Sequence, residues 1–371
     1  MSRPVQRCEP LRGLGRRDRR LTMNRGPRGK SWILVTVLLT GVLAATAQQA
    51  PPPPAPRQPG AEISPGEQPE IQSSPQSDPV LAECLALIQK RRYADAAGKI
   101  QVYLRDHPES STGHFLLGYT LYREDKPRES LAEYTAGARL HKPDANDLAV
   151  VAMDYVLLAD YADADKWLTM ATAWAPGDEL YWYYLGRTKY AENRFQEAIA
   201  AFNRCLTLVP HDLRAEYNLG LAFAGMGRND AAAEAFRTAI AWERASAIQD
   251  PQPFLDFGTL LLQEDKPQQA LPLLQQAVAI APQNPRAREQ LGQAWEQLQK
   301  LPMADKEMQA AVSLAPQISS LHYELGRIYQ REGLTAKAKA EFDRCAALNA
   351  SHSTDSAETP NPAPLSERPH Q

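Results

Sequence analysis

The sequence predicts an all-α solenoid of about eight helical hairpins, and three regularities indicate this fold class. Between residues 77 and 352 small residues recur every 34 positions, large apolar residues flank them at helical spacing, and prolines close most units. A fixed period of this length is typical of repeat architectures, in which each unit is one supersecondary motif that stacks on its neighbours. The repeated region is therefore expected to fold as one body.

The repeats keep one register when they are counted from Ser77. Four extra residues, Ala247 to Asp250, stand between the fifth and the sixth unit. The eight units are 77–110, 111–144, 145–178, 179–212, 213–246, 251–284, 285–318 and 319–352.

Two positions of the unit carry small side chains. The eighth position holds Cys84, Gly118, Ala152, Gly186, Gly220, Gly258, Gly292 and Gly326. The twentieth position holds Ala96, Ser130, Ala164, Ala198, Ala232, Ala270, Ala304 and Ala338. Two helices approach closely only where their side chains are small, so these positions mark the crossing of a first and a second helix in each unit.

Large apolar residues and prolines complete the pattern. The seventh position holds Leu117, Val151, Leu185, Leu219, Phe257, Leu291 and Leu325, with Glu83 as the exception in repeat one. The twenty-fourth position holds Ile100, Tyr134, Leu168, Phe202, Phe236, Leu274, Met308 and Phe342. Prolines near the thirty-second position are Pro108, Pro143, Pro176, Pro210, Pro282 and Pro316. Because proline removes a backbone donor and disfavours helix in the residue before it, each second helix is expected to end there.

Two departures from the pattern predict local differences. Repeat five has Arg244 in place of the terminating proline, so its second helix is expected to run from about Asp230 to about Ile248. After repeat eight no further amphipathic helix follows, and an uncovered apolar face is expected there. The tail, a second subunit or a partner would cover this face, which is formed by Ala338, Phe342 and Cys345.

The pattern resembles the tetratricopeptide repeat family. Repeat four matches the family motif at Trp182, Leu185, Gly186, Ala198, Phe202, Cys205 and Pro210. The resemblance covers residues 77–352 and implies a right-handed superhelix of helix–turn–helix units. In repeat one, Glu83 and Tyr103 replace the usual Leu and Ala, as is expected of a terminal cap.

The resemblance also implies a binding surface, since in this family the first helices line the concave side of the superhelix. Their inward second, fifth, ninth and twelfth positions, together with one neighbouring asparagine, give Phe115, Tyr119, Tyr122, Tyr183, Arg187, Tyr190, Arg214, Tyr217, Asn218 and Leu221. An aromatic wall with a few polar donors suits an extended or helical peptide. The alternative is that the rings pack between neighbouring repeats. A second contact region or a solvated face is offered by Arg286, Glu289, Gln293, Glu296, Tyr323, Arg327 and Gln330.

Charge and cysteine content exclude several other functions. Residues 1–31 carry a balance of +8, which leaves -11 on the other 340 residues. An acidic surface repels phosphate backbones, so nucleic acid is not an expected partner. The four cysteines are too scattered for a disulfide framework or a metal site. Cys84, Cys205 and Cys345 stand at packing positions and are expected to be buried, inert thiols.

The N-terminal region predicts export. Arg25, Arg28 and Lys30 precede the apolar run 32–47, which ends in the small-x-small pattern of a cleavage site. Residues 1–47 are interpreted as a basic extension and a signal peptide, with Met23 as an alternative start and an inner-membrane anchor formed by 32–47 as the alternative to cleavage. A Pro-rich disordered linker is expected over 48–76, the solenoid over 77–352 and a disordered tail over 353–371.

No catalytic motif is found. The seven histidines are isolated along the chain, and neither HExxH, GxSxG nor a phosphate-binding glycine loop is present. The chain is therefore predicted to be no enzyme and to need neither a cofactor nor a metal. We interpret it as an exported scaffold, periplasmic, secreted or envelope-associated, that binds a protein or peptide in its groove. The alternatives are an envelope factor that binds carbohydrate or peptidoglycan, and a structural subunit that self-assembles through its last repeat.

Overall fold

A computed structural model of the protein describes residues 78–243 and 250–357. This part of the chain contains sixteen helices and no strand. The helices are α1 (Pro79–Gln89), α2 (Tyr93–Asp106), α3 (Ser111–Arg123), α4 (Pro127–Leu140), α5 (Ala145–Leu157), α6 (Tyr161–Trp174), α7 (Glu179–Ala191), α8 (Phe195–Leu208), α9 (Leu213–Ala224), α10 (Asn229–Glu243), α11 (Gln252–Gln263), α12 (Pro267–Ile280), α13 (Pro285–Gln297), α14 (Leu301–Leu314), α15 (Ser319–Arg331) and α16 (Thr335–Ala357). Each predicted repeat forms one hairpin, which confirms the fold class.

The turn inside each hairpin uses a left-handed residue at the fifteenth position of the unit. These residues are Arg91, Asp125, Ala159, Asn193, Gly227, Asp265, Gln299 and Gly333, with φ between 57° and 77°. Only Gly227 and Gly333 adopt this conformation without the steric cost that a Cβ brings. The same reversal in every unit holds the second helix antiparallel to the first.

The small positions mark the helix crossing, as predicted. A Cβ built on Gly186 would lie 2.5 Å from Phe202 Cε1, and one on Gly258 would lie 2.6 Å from Leu274. In both pairs the eighth position of a repeat meets its own twenty-fourth position. Alanine at the twentieth position is fully buried in most units, Ala198 being one example. Close approach of the two helices therefore depends on these small side chains.

Side chains at the fourth position join consecutive repeats. A ring or guanidinium nitrogen donates to the carbonyl oxygen of the proline that closes the preceding unit. The pairs are His114 to Pro108 at 3.0 Å, Trp182 to Pro176 at 3.1 Å, Arg288 to Pro282 at 3.1 Å and His322 to Pro316 at 2.9 Å. The proline thus ends one repeat and anchors the next.

The predicted lengthening of the second helix of repeat five can be compared with the structure only in part. Its second helix, α10, is described as far as Glu243 and has 15 residues, whereas α8 and α12 have 14 each. Arg244 and the predicted helix end at Ile248 lie outside the described residues.

The two ends of the array differ from each other. Glu83, at the polar position of the first repeat, is exposed and pairs with Lys99. At the other end, the predicted uncovered apolar face is wrong for Ala338 and Cys345. Each of them is only 3% exposed, while Phe342 is half-buried. Helix α16 also reaches Ala357, so the first residues of the tail predicted as disordered are helical.

Other sequence expectations concern the cysteines and the membrane. Cys84, Cys205 and Cys345 are buried free thiols, as predicted. Within the two described ranges no helix is long and apolar enough to cross a membrane. The predicted signal peptide, its alternative as an anchor, and the Pro-rich linker lie outside these ranges.

Candidate functional site

The candidate groove lies on the face formed by the first helices. Contacts between the first helices of consecutive hairpins join α1 to α3, α3 to α5, α7 to α9 and α11 to α13. No contact of similar extent joins two second helices among the described residues. The first helices lie closer together than the second helices. They therefore form the inside of a curved stack. We call this face the inner face.

The aromatic rings predicted to line the groove are mostly buried. Tyr183 is 2% exposed, and Tyr119 and Tyr217 are 3% exposed each. Tyr122, Tyr190 and Leu221 are also buried, while Phe115, Arg187, Arg214 and Asn218 are partly exposed. The ring contacts of Tyr183 with Phe202 and of Tyr217 with Phe236 lie within one repeat. A partner on this face would meet the polar side chains first, and partner binding by these residues stays a prediction.

Two guanidinium groups lie over the ring of Tyr183. The Cζ atom of Arg187 is 5.7 Å from the ring centroid, and that of Arg214, from the next repeat, is 4.9 Å away. Asn218 Nδ2 donates to the Arg214 carbonyl oxygen at 2.8 Å and lies 3.5 Å from Tyr183 Oη. The buried tyrosine thus positions two cations and one amide on the inner face of repeats four and five.

A second chain of contacts links repeats five, six and seven. Tyr217 Oη donates to Asp256 Oδ2 at 2.6 Å, and Arg286 Nη2 donates to Asp256 Oδ1 at 2.8 Å. Asp256 was not among the predicted groove residues, although it occupies the same sixth position in repeat six that Asn218 occupies in repeat five. Its carboxylate fixes both a predicted groove tyrosine and the arginine of the following repeat.

Arg123 is a further inner-face residue that the sequence analysis missed. Its guanidinium lies 4.7 Å from the ring centroid of Tyr93, and its Nη1 donates to Tyr119 Oη at 2.8 Å. It occupies the position directly after Tyr122, which was predicted. Counting one position further along the first helix would have found it.

Behind the inner face of repeats two and three lies a buried carboxyl group. Ser130 Oγ is 2.8 Å from the Gly118 carbonyl oxygen and 2.5 Å from Asp154 Oδ2. A hydroxyl has one proton to donate, so both contacts are satisfied when a protonated Asp154 donates to Ser130. Burial raises the pKa of Asp154 to about 8, and the hydrogen bond with Ser130 acts in the opposite direction. Asp154 is therefore largely protonated at neutral pH in the folded protein.

Repeats seven and eight carry a charged network with a cleft of about 500 Å³ beside it. The buried carboxylate of Glu296 accepts from Arg331 Nη1 at 2.6 Å and from Arg327 Nη2 at 3.1 Å, while Arg327 Nη1 donates to Glu324 at 2.6 Å. Burial raises the pKa of both Glu289 and Glu324. The predicted second contact region is thus largely an internal ion-pair network. Gln293 lines its cleft, Tyr323 is exposed and Gln330 lies on the same helix.

Among the described residues, no group of three or more His, Cys, Asp or Glu side chains could hold a metal ion. Burial raises the pKa of the Cys205 thiol to about 12, so it stays protonated and is a poor nucleophile.

Profiles of one family match most of the repeated region. Profiles described as tetratricopeptide repeat match residues 81–145, 157–251, 261–318 and 319–352. The chain belongs to the tetratricopeptide repeat family. Two of these matches, at 81 and 319, begin within two residues of a helix start in the structure. A tetratricopeptide repeat array is a scaffold for protein–protein interaction, and family members are typically not enzymes.

Curated relatives match short parts of this tetratricopeptide repeat protein. A peroxisomal targeting signal receptor of Candida glabrata is 43% identical over 65 residues, which cover 18% of this chain and 11% of the relative. The corresponding receptor of Kluyveromyces lactis is 39% identical over 73 residues, or 20% of this chain and 13% of the relative. The matches thus span less than a fifth of the length of either receptor.

Solved structures share the fold. A tetratricopeptide repeat protein from Parabacteroides merdae has a TM-score of 0.53 at 15% identity, covering 67% of this chain and 97% of that one. The APC/C hetero-tetramer Cut9–Hcn1 has a TM-score of 0.50 at 17% identity, covering 74% of this chain and 53% of that one. At these identities the likeness concerns the fold alone.

Proposed function

We propose that the chain is an exported scaffold that binds a peptide segment of another protein on the inner face of repeats two to five. The observation that carries the proposal is the row of partly exposed polar groups fixed on buried tyrosines, above all Arg187, Arg214 and Asn218 around Tyr183. Positions fixed before binding lower the entropic cost of recognising a segment. The relatives named as targeting signal receptors support a segment of a protein as the ligand.

Site-directed crosslinking tests the binding surface. A photo-crosslinking amino acid in place of Asn218 should capture a partner protein in cells of the source organism. The matched control replaces Asn203, an exposed residue on the second helix of repeat four, and should capture none. Equal capture at both positions, or capture at Asn203 alone, would place the binding surface elsewhere.

The structure changes which substitutions can test the groove. Tyr183→Ala with Tyr217→Ala suggests itself from the sequence, but both rings are buried, and truncating buried aromatic residues costs about 3–5 kcal/mol each. Arg187→Ser with Asn218→Ser instead changes partly exposed groups and should weaken capture while leaving helicity intact.

Export rests on the sequence of residues 25–47, with its basic cluster, apolar run and Ala45-Thr46-Ala47 pattern. The mature protein should begin at Gln48 and should be found outside the cytoplasm, in the periplasm or the medium. Mass spectrometry of the N-terminus together with cell fractionation measures both. A chain that keeps residues 32–47 and stays with the inner membrane would favour the anchor, and one that stays in the cytoplasm would refute export.

A further inference from the structure

The junction between hairpins two and three contains a buried carboxyl group that no cation balances. Asp154 on α5 is fully buried, and its Oδ2 lies 2.5 Å from Ser130 Oγ on α4. This contact needs a proton on Asp154, because the Ser130 hydroxyl donates its own proton to the Gly118 carbonyl oxygen. Among the described residues, Asp154 Oδ1 has no hydrogen-bond partner, and no Lys or Arg pairs with Asp154. An ionised Asp154 would therefore be poorly solvated in this position.

Other titratable groups surround Asp154. Burial raises the pKa of Tyr134 on α4, and the charges of Asp147 and Asp154 raise it further. The charge of Asp154 also reaches Tyr122 on α3. The charged and titratable groups around the contact are Tyr119, Tyr122, Tyr134, Asp144, Asp147, Arg123 and Arg187. Only burial and the Ser130 contact shift the pKa of Asp154 itself, so none of these charges balances it.

Asp147 and Asp154 lie on one side of α5. They stand about two turns apart, so their side chains leave the helix in nearly the same direction. Val150 stands between them on the same side and is fully buried. The contact of Asp154 with Ser130 shows that this side of α5 faces α4.

The loop between these hairpins also differs from other loops between repeats. In five of them a backbone N–H donates to the carbonyl oxygen three residues earlier, and the donors are Ser110, Asp178, Asp212, Asn284 and Ile318. At the corresponding position, Asp144 N donates to Asp147 Oδ2 at 2.9 Å. Within the described ranges, the junction of α4 with α5 is also one of the two least extensively packed junctions between consecutive hairpins. This connection therefore depends on an ionisable side chain where the others use the backbone.

We propose that the junction between repeats two and three is a pH-sensitive joint, which stays closed while Asp154 carries a proton and opens as Asp154 ionises. Opening moves hairpins one and two away from the rest of the array at residues 141–144 and gives the carboxylate access to water. Only the closed form requires the proton, so opening releases it and a rising pH favours the open form. This inference does not depend on the proposed binding of a peptide.

The size of the effect follows from proton linkage. The pKa of Asp154 is about 8 in the closed form, against an ordinary value of 3.8. Closure is therefore favoured most below about pH 4 and loses this support as the pH rises toward 8. Between pH 6 and pH 8, Asp154 alone should raise the ratio of open to closed molecules about fiftyfold.

Thiol trapping measures this opening in the full chain. Val150→Cys places a thiol on the buried side of α5, where iodoacetamide reaches it only in open molecules. Mass spectrometry gives the labelling rate at each pH. Dividing it by the rate of an unstructured peptide thiol at the same pH gives the fraction of open molecules.

Two substitutions in this background isolate the role of Asp154. Asp154→Asn keeps the contact with Ser130 without a titrating proton, so it should remove the fiftyfold contribution of Asp154. Asp106→Asn changes an exposed carboxylate on α2 and should leave the rise unchanged. An equal rise with and without Asp154→Asn would overturn the proposal.

Native Cys205 distinguishes opening of the joint from unfolding of the whole array. This thiol is buried on α8 in repeat four and is measured in the same experiment. Its labelling should not depend on Asp154→Asn. A dependence as large as that of the thiol at position 150 would show global unfolding and would refute a local joint.

Oxidation of Met153 by hydrogen peroxide is a second reporter, for the case in which Val150→Cys prevents folding. Met153 is 2% exposed and precedes Asp154, and Met308 on α14 is a fully buried control. Met153 should be oxidised faster as the pH rises, and Asp154→Asn should reduce this rise, while Met308 stays slow in both chains. A rise at Met153 that Asp154→Asn does not reduce would overturn the proposal.

Discussion

Replacing the buried Asp154 with Asn should stabilise the protein at neutral pH and reduce the dependence of its stability on pH. Asp154 is fully buried, and its Oδ2 lies 2.5 Å from Ser130 Oγ. Asn has the shape of a protonated Asp, and its amide can donate to Ser130 at any pH. The substitution thus keeps the hydrogen bond and removes the titration.

The magnitude follows from proton linkage. The folded protein binds the Asp154 proton with a pKa of about 8, against an ordinary value of 3.8 in the unfolded chain. Stability from this group is therefore fully present below about pH 4 and is lost as the pH rises toward 8. At pH 7 the loss covers 3.2 pH units at about 1.4 kcal/mol each, or about 4 kcal/mol.

Urea unfolding at pH 4 and pH 7, followed by circular dichroism, measures the effect. The difference in free energy of unfolding between Asp154→Asn and the wild type should be about 4 kcal/mol larger at pH 7 than at pH 4. Because any packing cost of the amide is the same at both pH values, it cancels in this comparison. Some dependence on pH should remain, because burial also raises the pKa of Asp147 and Glu216 to about 7 each.

The control is Asp95→Asn, at an exposed carboxylate, which should change stability by less than about 1 kcal/mol at either pH. Hydrogen exchange in α4 and α5 reports whether the gain is local to the contact. An equal difference between Asp154→Asn and the wild type at both pH values would refute the reasoning.

Three further predictions concern the repeat itself, each measured by thermal or urea unfolding. Gly186→Ala should lower the free energy of unfolding by about 1–3 kcal/mol, because the added Cβ would lie 2.5 Å from Phe202 Cε1. Gly98→Ala, with open space around it, should raise the free energy of unfolding by up to about 1 kcal/mol. Ala159→Gly should gain about 0.5–1 kcal/mol, since φ is 58° there, and an unchanged or lower stability would contradict the strain. Trp182→Phe removes the hydrogen bond to the Pro176 carbonyl oxygen at 3.1 Å and should lower the free energy of unfolding by about 1 kcal/mol. An unchanged stability would mean that this bond does not stabilise the contact between repeats three and four.

The repeat register was predictable because each unit obeys the same steric rule. A glycine at the eighth position leaves room for the large side chain at the twenty-fourth, as Gly186 does for Phe202. The end of the array was less predictable. Periodicity identified Ala338 and Cys345 as apolar positions of a last helix, but their direction depends on how α16 rotates against α15. Both are buried, and the exposed residues of α16 are mainly polar or small.

The candidate site was predictable in position but not in exposure. Counting positions placed Tyr183 and Tyr217 on the inner face, but burial depends on how closely the next repeat packs, which the count does not contain. The Asp154 contact was missed because Ser130 was read only as another small residue. The contact could have been predicted from Ser130, which has a hydroxyl where the other units have Ala, together with Asp154 on the next first helix.

The burial of the inner-face rings alters how recognition should work on this surface. A ring that is 2% exposed, such as Tyr183, has little area left for stacking with a ligand. Its contribution is to hold Arg187 and Arg214 where they reach the surface. Affinity on such a face comes from charge and hydrogen-bond geometry more than from aromatic contact area, so association should be fast and sensitive to salt. Removing a guanidinium should then weaken binding without unfolding, whereas removing the ring beneath it should do both.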